Sequence, residues 1–377
     1  MPEIKNSFRP AWIEINLTQL RKNFELITRN MPAGLKFISV IKDQAYGHGA
    51  IEVAKIALEF GATYLAVATI DEALELRKNF STAPIMIFGE RTEEELRLVL
   101  DYDFTCCIND IQKANMLANL VTDLNKRPTI HIKINTGMNR YGMRFENAIE
   151  VIEHISKMKQ LNLEGVMSHF AMSDELDKSF ALTQLERFQK VLDEMKHKNI
   201  KITYRHICNS GGFLDLPQTH FDMARIGILP LGIYPSKVCR RISGLQPIMS
   251  VKCKIAAICD LEIGDYVGYG MHYKAESPRR IAVLPIGYGD GYPRVRNKGS
   301  VLIHGQRAPI IGGNAMDATI VDITDILQTE LWDEAILMGK QENEEIDVHE
   351  IAQLQNSVSY DILTGWSSRL PRVYKNK

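Results

Sequence analysis

Eight short apolar runs alternate with amphipathic helical stretches between residues 35 and 228. Each run is nearly continuous in apolar and β-branched residues, as expected of parallel strands that are covered on both faces. The predicted strands are 35–41, 63–69, 83–88, 104–108, 129–135, 163–170, 203–209 and 222–228. Eight strands that alternate with helices over about 200 residues predict an α/β fold, a (β/α)8 barrel of the TIM type. The connection at 211–221 is the weakest part of this pattern, because it is short and contains Pro217.

Beyond residue 230 the rhythm changes to short strand-like runs separated by Gly, Pro, Asp and Asn. The runs are 248–258, 281–286, 300–303, 310–311 and 335–338, and a late helical pattern covers 349–356. This part predicts a C-terminal all-β domain. We therefore expect a barrel domain over residues 1–240 and a mostly β domain over 241–377. The strand-like run 12–16 leads us to expect residues 1–16 to pack with the second domain.

The composition favours a small-molecule partner over nucleic acid or an anionic membrane. Charged residues make up 24% of the 377 residues and the net charge is −1, so no basic footprint is present. No apolar run approaches the roughly 18 residues of a spanning helix, and we expect a cytoplasmic protein.

The six cysteines show neither Cys-x-x-Cys pairs nor histidine partners at the spacing of zinc ligands. We expect buried free thiols, no disulfide and no metal site. These cysteines are Cys106, Cys107, Cys208, Cys239, Cys253 and Cys259.

Lys42 stands at the carboxyl edge of the first predicted strand and is followed by a turn containing Gly47 and Gly49, and then by a helical pattern from Ala50. A lysine at the dry end of a buried strand loses solvation, which lowers the pKa of its ammonium group. The resulting amine is a nucleophile that can form a Schiff base. A plain surface lysine after a strand is the alternative interpretation of this stretch.

Polar residues fall at or near the ends of four further predicted strands. They are Arg140, His169, Ser210 and Arg225, which follow or end strands five to eight. Taken alone, His169 beside Phe170 is more often a satisfied core histidine than a catalytic one. In a barrel, however, the carboxyl ends of all strands meet at one mouth, where active sites lie. The agreement in position is what predicts a site.

A phosphate site is indicated independently of the lysine. Asn209-Ser210-Gly211-Gly212 follows strand seven and Gly227-Ile228 closes strand eight, the two strands whose loops commonly hold phosphate in such barrels. A hydroxyl and glycine N–H groups suit a phosphate dianion. Gly-Gly after a strand is usually only a turn, but beside a Schiff-base lysine it points to pyridoxal 5'-phosphate.

The chain resembles the alanine racemases in motifs that span nearly its whole length and follow the family order. Lys42 with Ala45-Tyr46-Gly47-His48-Gly49 is similar to their cofactor-lysine motif. The other similar blocks are 133–140, 168–170, 206–210, 225–227, 268–270, 287–292, 315–317, 359–361 and 369–374.

The resemblance implies a pyridoxal-phosphate isomerase that interconverts L-alanine and D-alanine, through an aldimine, for peptidoglycan synthesis. Lys42 would hold the cofactor and act as one acid/base group, and Tyr269 would act on the opposite face of the substrate carbon. Arg140, Met316 and Tyr288 would bind the substrate. The implied cofactor-binding residues are Lys42, Tyr46, Arg140, His169, His206, Asn209, Ser210, Arg225, Gly227, Ile228 and Tyr360.

Arg225 matches the family arginine that faces the pyridine nitrogen. Arginine can donate a hydrogen bond to that nitrogen but does not protonate it, which makes the ring a poorer electron sink. The resemblance also implies a homodimer with shared active sites, in which Tyr269 and Met316 enter the partner's site.

Some positions depart from the family pattern. Asp43-Gln44 stands where Ala-Asn or Ala-Asp is usual, Ala315 replaces a common cysteine or serine, and Asn135 replaces a frequent aspartate beside Lys133, whose counterpart is often carbamylated. These departures leave the substrate range and the state of Lys133 open. The alternatives are a racemase of serine or other amino acids, a barrel decarboxylase with the same cofactor, a non-catalytic cofactor carrier and a non-catalytic interaction module.

Overall fold

The computed structural model describes residues 9–376 and divides them into two compact units. The barrel unit contains Leu20–Ala45 and Gly49–Gln246, and the sheet unit contains the remaining described residues. None of the helices within residues 9–376 combines the length and the apolar character that a membrane span requires.

The barrel strands are preceded by strand β1 (Ala11–Asn16) and helix α1 (Leu17–Arg29). The strands that follow are β2 (Lys36–Val40), β3 (Tyr64–Val67), β4 (Ile85–Ile87), β5 (Thr105–Ile108), β6 (Thr129–Asn135), β7 (Met143–Arg144), β8 (Asn162–Met167), β9 (Tyr204–His206) and β10 (Met223–Ile226). The helices between them are α2 (Lys42–Gly47), α3 (Ala50–Glu59), α4 (Ile70–Asn79), α5 (Glu93–Asp101), α6 (Ile111–Leu120), α7 (Ala148–Ser156), α8 (Ser179–His197) and α9 (Ser210–Asp215).

Eight of these strands form one parallel sheet in the order β10-β2-β3-β4-β5-β6-β8-β9, while the short strand β7 pairs only with β6. Two backbone hydrogen bonds join the ends of this order. Asp222 N donates to Arg205 O at 3.2 Å, and Arg225 N donates to Cys208 O at 2.9 Å. The sheet is therefore nearly closed, and the predicted (β/α)8 barrel is confirmed.

Burial explains why the barrel strands could be found in the sequence. Every residue of β3, β4, β5 and β10 is buried, because helices cover the outside and side chains fill the inside. At the weak connection, the short helix α9 and the 3-10 turn Pro217–Thr219 replace a full-length helix.

The sheet unit also contains eleven strands from residue 249 onward. They are β11 (Met249–Lys254), β12 (Ala257–Leu261), β13 (Tyr266–Val267), β14 (Tyr273–Lys274), β15 (Arg279–Leu284), β16 (Ser300–Ile303), β17 (Gln306–Pro309), β18 (Thr319–Asp322), β19 (Glu334–Gln341), β20 (Glu344–Ile346) and β21 (Arg372–Lys375). Two short helices, α10 (Val348–Gln353) and α11 (Ser359–Gly365), lie between the last strands.

A seven-stranded sheet organises this unit, with the path β17-β16-β19-β11-β1-β21 and β20 beside β19. In it β1 pairs antiparallel with β11, where Ile13 faces Val251, and parallel with β21. Strands β12, β15 and β18 form a separate sheet, and β13 pairs with β14. The prediction of a mostly β C-terminal part is confirmed.

The single strand predicted over 248–258 is wrong, because β11 and β12 belong to different sheets. The strand is interrupted between them, because Ile255 N donates to Asp333 O at 3.0 Å whereas Ala256 N donates to Val283 O at 2.9 Å. A continuous apolar run does not reveal which sheet each half joins.

All six cysteines are free thiols, and five of them are buried. The expectation of burial is wrong for Cys259, which is exposed. It lies on β12, an edge strand of the three-stranded sheet whose side chains are only partly covered.

The helical coat of the barrel generates a stability prediction. Phe188 on α8 is fully buried and packs edge-on against Phe221, with ring centroids 5.5 Å apart. Phe188→Ala should lower the free energy of unfolding in urea by about 3–5 kcal/mol, because it leaves a cavity. Leu182→Ala removes an exposed side chain from the same helix and should change it by less than about 1 kcal/mol. Equal losses for the two variants would contradict this packing.

Candidate active site

The barrel unit brings five of the predicted residues to the carboxyl ends of its strands. Lys42 stands two residues after β2, and His169 two residues after β8. His206 is the last residue of β9, Ser210 follows it at the start of α9, and Arg225 lies on β10. The carboxyl ends of parallel barrel strands form one mouth, so these residues share one end of the barrel.

Lys42 begins a short left-handed helix, where the sequence predicts an ordinary glycine turn. Asp43, Gln44, Ala45 and Tyr46 have φ values between 52° and 54°. Such a conformation costs roughly 1–2 kcal/mol for each residue other than glycine. The strand end therefore carries considerable strain, which surrounding contacts must offset.

Three hydrogen bonds hold this strained segment. Asp43 N donates to Glu72 Oε1 at 2.5 Å, and Ala45 N donates to Ile41 O at 2.9 Å. Gln44 Nε2 donates to Glu75 Oε2 at 2.8 Å, so this departure from the family pattern has a structural role. The other carboxylate oxygen of Glu72 accepts from the backbone at the start of α4. Both glutamates therefore fasten the lysine segment to α4.

Burial lowers the pKa of Lys42, and the positive charge of Arg140 lowers it further. Glu72 and Asp43 act in the opposite direction but do not cancel this effect. A larger share of the amine is therefore uncharged, as a nucleophilic lysine requires. The lowered pKa expected from the sequence is present.

Arg225 is only 3% exposed and lies in a nest of acceptors. Its Nη1 atom donates to His206 Nδ1 at 2.9 Å and to His206 O at 3.1 Å. Its Nη2 atom donates to Ser168 O at 2.7 Å, to His169 Nδ1 at 2.9 Å and to Ile207 O at 3.1 Å. Burial lowers the pKa of Arg225 to about 10, which still leaves it cationic at neutral pH.

Both histidines beside Arg225 are held neutral. Burial, and then the charge of Arg225, lowers the pKa of His169 and that of His206 well below the ordinary value. Because Arg225 can only donate, each ring must present a bare Nδ1 to it and carry its proton on Nε2. The arginine thus fixes the tautomers of both predicted histidines.

Arg140 lies on a loop that Asn135 shapes. Asn135 Oδ1 accepts from Gly137 N at 3.0 Å and from Asn139 N at 3.1 Å, and its amide donates to Asn139 Oδ1. The loop and the neighbouring strand end line a small pocket with Lys133, Arg140, Ser168 and His169. Burial and the charge of Arg225 hold the pKa of Lys133 well below its ordinary value.

The predicted phosphate loops, which follow β9 and β10, come together. Ser210 Oγ accepts from Gly227 N at 3.3 Å, and Ile228 is buried beside it in the chain. Asn209 Oδ1 caps α9 by accepting from Gly212 N at 2.9 Å. A Cβ on Gly211 would lie 2.8 Å from Ser173 Oγ, so this glycine permits close packing within the protein.

The remaining predicted residues belong to the sheet unit. Tyr269 is 74% exposed on the 3-10 turn Tyr269–Met271, and Met316 is 56% exposed. Tyr288 N donates to Ala315 O at 3.1 Å, so the loops of Tyr288 and Met316 are joined. Tyr46 and Tyr360 also belong to this unit, and their rings meet edge to face at 5.9 Å.

Glycines hold the exposed side chains in place. Gly268 has a φ of 74°, and a Cβ there would lie 2.8 Å from Gly313 O. A Cβ on Gly287 would lie 2.2 Å from Ala315 O. The loops that present Tyr269 and Tyr288 therefore both pack against the segment 313–316, which carries Met316.

Sequence reasoning missed four residues that support this site: Glu72, His131, Glu164 and Gln184. Gln184 is fully buried and donates to His169 O at 3.0 Å and to Thr136 Oγ1 at 3.1 Å. The one available signal was a polar residue on the buried face of an amphipathic helix or within a barrel strand. That signal does not identify which strand end the side chain reaches.

The comparisons with known proteins agree over both units. The family models for the alanine racemase N-terminal domain and C-terminal domain match residues 15–235 and 248–374. The alanine racemase of Clostridium kluyveri is 37% identical over 370 residues, which is 97% of this chain and 94% of that one. The alanine racemase of Carboxydothermus hydrogenoformans is 40% identical over 368 residues, 97% and 100% of the two chains. The solved alanine racemase of Clostridium difficile 630 has a TM-score of 0.93 at 33% identity and covers 98% of this chain and 97% of that one.

The electrostatics of Lys42 can be tested on the protein freed of any cofactor. Arg140→Met removes a positive charge that lowers the pKa of Lys42, so this pKa should rise in the variant. The measurement is the pH dependence of Lys42 labelling by an amine reagent, followed by peptide mapping. Exposed Lys55 on α3 is the internal reference, and its labelling should not respond to the substitution. A labelling curve for Lys42 that is unchanged or shifts to lower pH would refute the role of Arg140.

Proposed function

The chain belongs to the alanine racemase family, and we propose that it interconverts L-alanine and D-alanine using pyridoxal 5'-phosphate held on Lys42. The observation that carries the proposal is the pairing of two groups at one barrel mouth: a strand-end lysine of lowered pKa and a buried arginine with one uncommitted donor. Both family domains are present, which argues against a cofactor carrier that consists of the barrel alone.

The donor set fits the cofactor. Both terminal nitrogens of Arg225 are committed to protein acceptors, whereas Nε has no hydrogen-bond partner within residues 9–376. A ring nitrogen, which is an acceptor, matches this remaining donor. Ser210 and the N–H groups of Gly227 and Ile228 come from adjacent strand ends and suit a phosphate group.

When bound, the cofactor withdraws electrons from the amino acid attached to it and makes its Cα proton acidic. Arg225 would donate a hydrogen bond to the ring nitrogen without protonating it, which would limit that withdrawal. Lys42 Nζ moves a proton on one face of Cα, and the Tyr269 hydroxyl moves a proton on the other. Racemisation needs both faces, and hence both groups.

In this proposal three further side chains hold the substrate. Arg140, an exposed cation beside the Lys133 pocket, binds the carboxylate of the amino acid. Met316 and Tyr288 line the space for the substrate side chain. Ala315 contributes main-chain hydrogen bonds to Tyr288 N and Ala318 O, so its departure from the family pattern leaves this loop intact.

We propose that the protein is a two-fold homodimer in which Tyr269 and Met316 serve the partner's site. Four large side chains in these loops are each more than half exposed: Tyr266, Tyr269, Met271 and Met316. Glycines with close backbone contacts hold their loops, so the exposed side chains are not on freely moving segments. A surface of this kind is typical of an interface between copies of a chain.

The attachment residue can be identified chemically. The purified protein should convert L-alanine to D-alanine, as measured by chiral chromatography, and should absorb visible light. Borohydride reduction followed by peptide mapping should find the pyridoxyl label on Lys42. Lys42→Ala should lose the visible absorption, and its rate of racemisation should fall at least about 10³-fold, because it loses an acid/base group and the attachment point. A label on any other lysine would refute the assignment.

Mixed dimers test the shared site. When Lys42→Ala and Tyr269→Ala subunits exchange, one site of each mixed dimer loses both groups and the other regains both. Random pairing makes half of the dimers mixed, so roughly a quarter of wild-type activity should return. The control is each variant exchanged with itself, which should stay inactive. No recovery despite demonstrated subunit exchange would show that Tyr269 serves its own chain.

A further inference from the structure

A row of hydrogen-bonded side chains runs from Arg225 toward the amino-terminal ends of the barrel strands, away from the mouth. We propose that Glu164, on β8, is a positioning residue for Arg225 and acts on it through His131 and His206. The catalytic importance of this row rests on the proposed function, in which Arg225 faces the ring nitrogen of the cofactor. The direction of the hydrogen bonds along the row depends only on the protein's own side chains.

The row is continuous and each contact is short. Arg225 Nη1 lies 2.9 Å from His206 Nδ1, and His206 Nε2 lies 2.8 Å from His131 Nδ1. His131 Nε2 lies 2.9 Å from Glu164 Oε2. The hydroxyl of Tyr64, the first residue of β3, donates to the same carboxylate oxygen at 2.5 Å.

The two ends of the row leave one arrangement of protons. A guanidinium only donates, so His206 Nδ1 is bare and the proton of His206 lies on Nε2. That proton is donated to His131 Nδ1, which places the proton of His131 on Nε2. This second proton requires an acceptor, and an ionised carboxylate accepts without donating. Glu164 therefore accepts the last hydrogen bond in the only donor-to-acceptor direction that is compatible with Arg225.

Burial and hydrogen bonding together keep every member in the required charge state. His131 and His206 are fully buried, and desolvation lowers the pKa of each imidazole, so both are neutral. Burial opposes ionisation of Glu164, but hydrogen bonds from His131 and Tyr64 outweigh it and leave its pKa below the ordinary value. The carboxylate is therefore an acceptor at neutral pH.

The backbone is shaped to admit the row. Gly165, next to Glu164, pairs with His131 across the β6–β8 ladder, where the register shifts by a bulge. A Cβ on Gly165 would lie 2.6 Å from His131 Nδ1. Any side chain at this position would push the imidazole off its place between His206 and Glu164. The glycine and the bulge show that the row is built into the strands.

Removing the acceptor should act at the far end of the row. Without Glu164, the Nε2 proton of His131 is buried with no acceptor, and reversal of both imidazoles becomes competitive. A reversed His206 turns an Nδ1 proton toward the donor Nη1 of Arg225, and the two protons repel. Arg225 then loses one of its five acceptor atoms and its Nη1 end is displaced, while the residues that bind the amino acid stay as they are.

The imidazole protons can be observed directly by long-range ¹H–¹⁵N spectroscopy of histidine-labelled protein without cofactor. His131→Gln and His206→Gln assign the two signal sets. Both rings should be neutral Nε2–H tautomers in the wild type and in Glu164→Gln, whose amide oxygen still accepts. Glu164→Leu should show a detectable share of the Nδ1–H tautomer at His206. An Nδ1–H tautomer or an imidazolium at His206 in the wild type overturns the proposal.

Kinetics on the holoenzyme supply the second readout. Glu164→Leu should lower kcat for alanine about tenfold or more with KM changed less than about twofold, and Glu164→Gln should restore kcat to within about threefold of wild type. Glu186→Leu, at an exposed position on α8, is the matched control and should leave both constants unchanged. Wild-type kcat in Glu164→Leu, or no rescue by Glu164→Gln, overturns the proposal. If the wild type does not racemise alanine, the proposed function fails, and the spectra still decide whether the row orders Arg225.

Discussion

Five acceptor atoms surround the two terminal nitrogens of Arg225, a cation buried at the end of β10. A buried charge is costly unless its hydrogen bonds are satisfied, so the surrounding strand ends must supply those acceptors in fixed places. Two come from histidine rings and three from backbone carbonyls at or just after the ends of β8 and β9. This guanidinium orients His169 and His206. Its charge adds to the effect of burial in lowering the pKa of Lys133.

The two proposed acid/base groups are held in contrasting ways. Lys42 stands on a strained left-handed segment that Glu72 and Glu75 fasten to α4. Tyr269 stands on an exposed turn whose flanking Gly268 permits close packing on the backbone of Gly313. In both cases the local backbone is unusual and the surrounding contacts determine it. Strain that is fixed in this way is characteristic of functional sites.

The sequence was sufficient for the barrel and for the strand-end residues, because a buried parallel strand is a continuous apolar run and its carboxyl end is marked by the first polar residue. It was insufficient for the left-handed segment, since Gln44, Ala45 and Tyr46 carry no local preference for that conformation. His131 and Glu164 were missed because their contact depends on a bulge that shifts the β6–β8 register. The division of 248–258 between two sheets depends likewise on distant partners.

Deuterium exchange at Cα tests the central claim, that Lys42 and Tyr269 each serve one face of the substrate. With Lys42 intact, Tyr269→Phe in heavy water should still exchange the Cα proton of one alanine enantiomer, because the lysine face is unaffected. Exchange of the other enantiomer should fall by at least about 10²-fold, because its acid/base group is gone. If this variant exchanged the Cα protons of L-alanine and D-alanine at equal rates, either both at the wild-type rate or both greatly slowed, the two-group account would be contradicted.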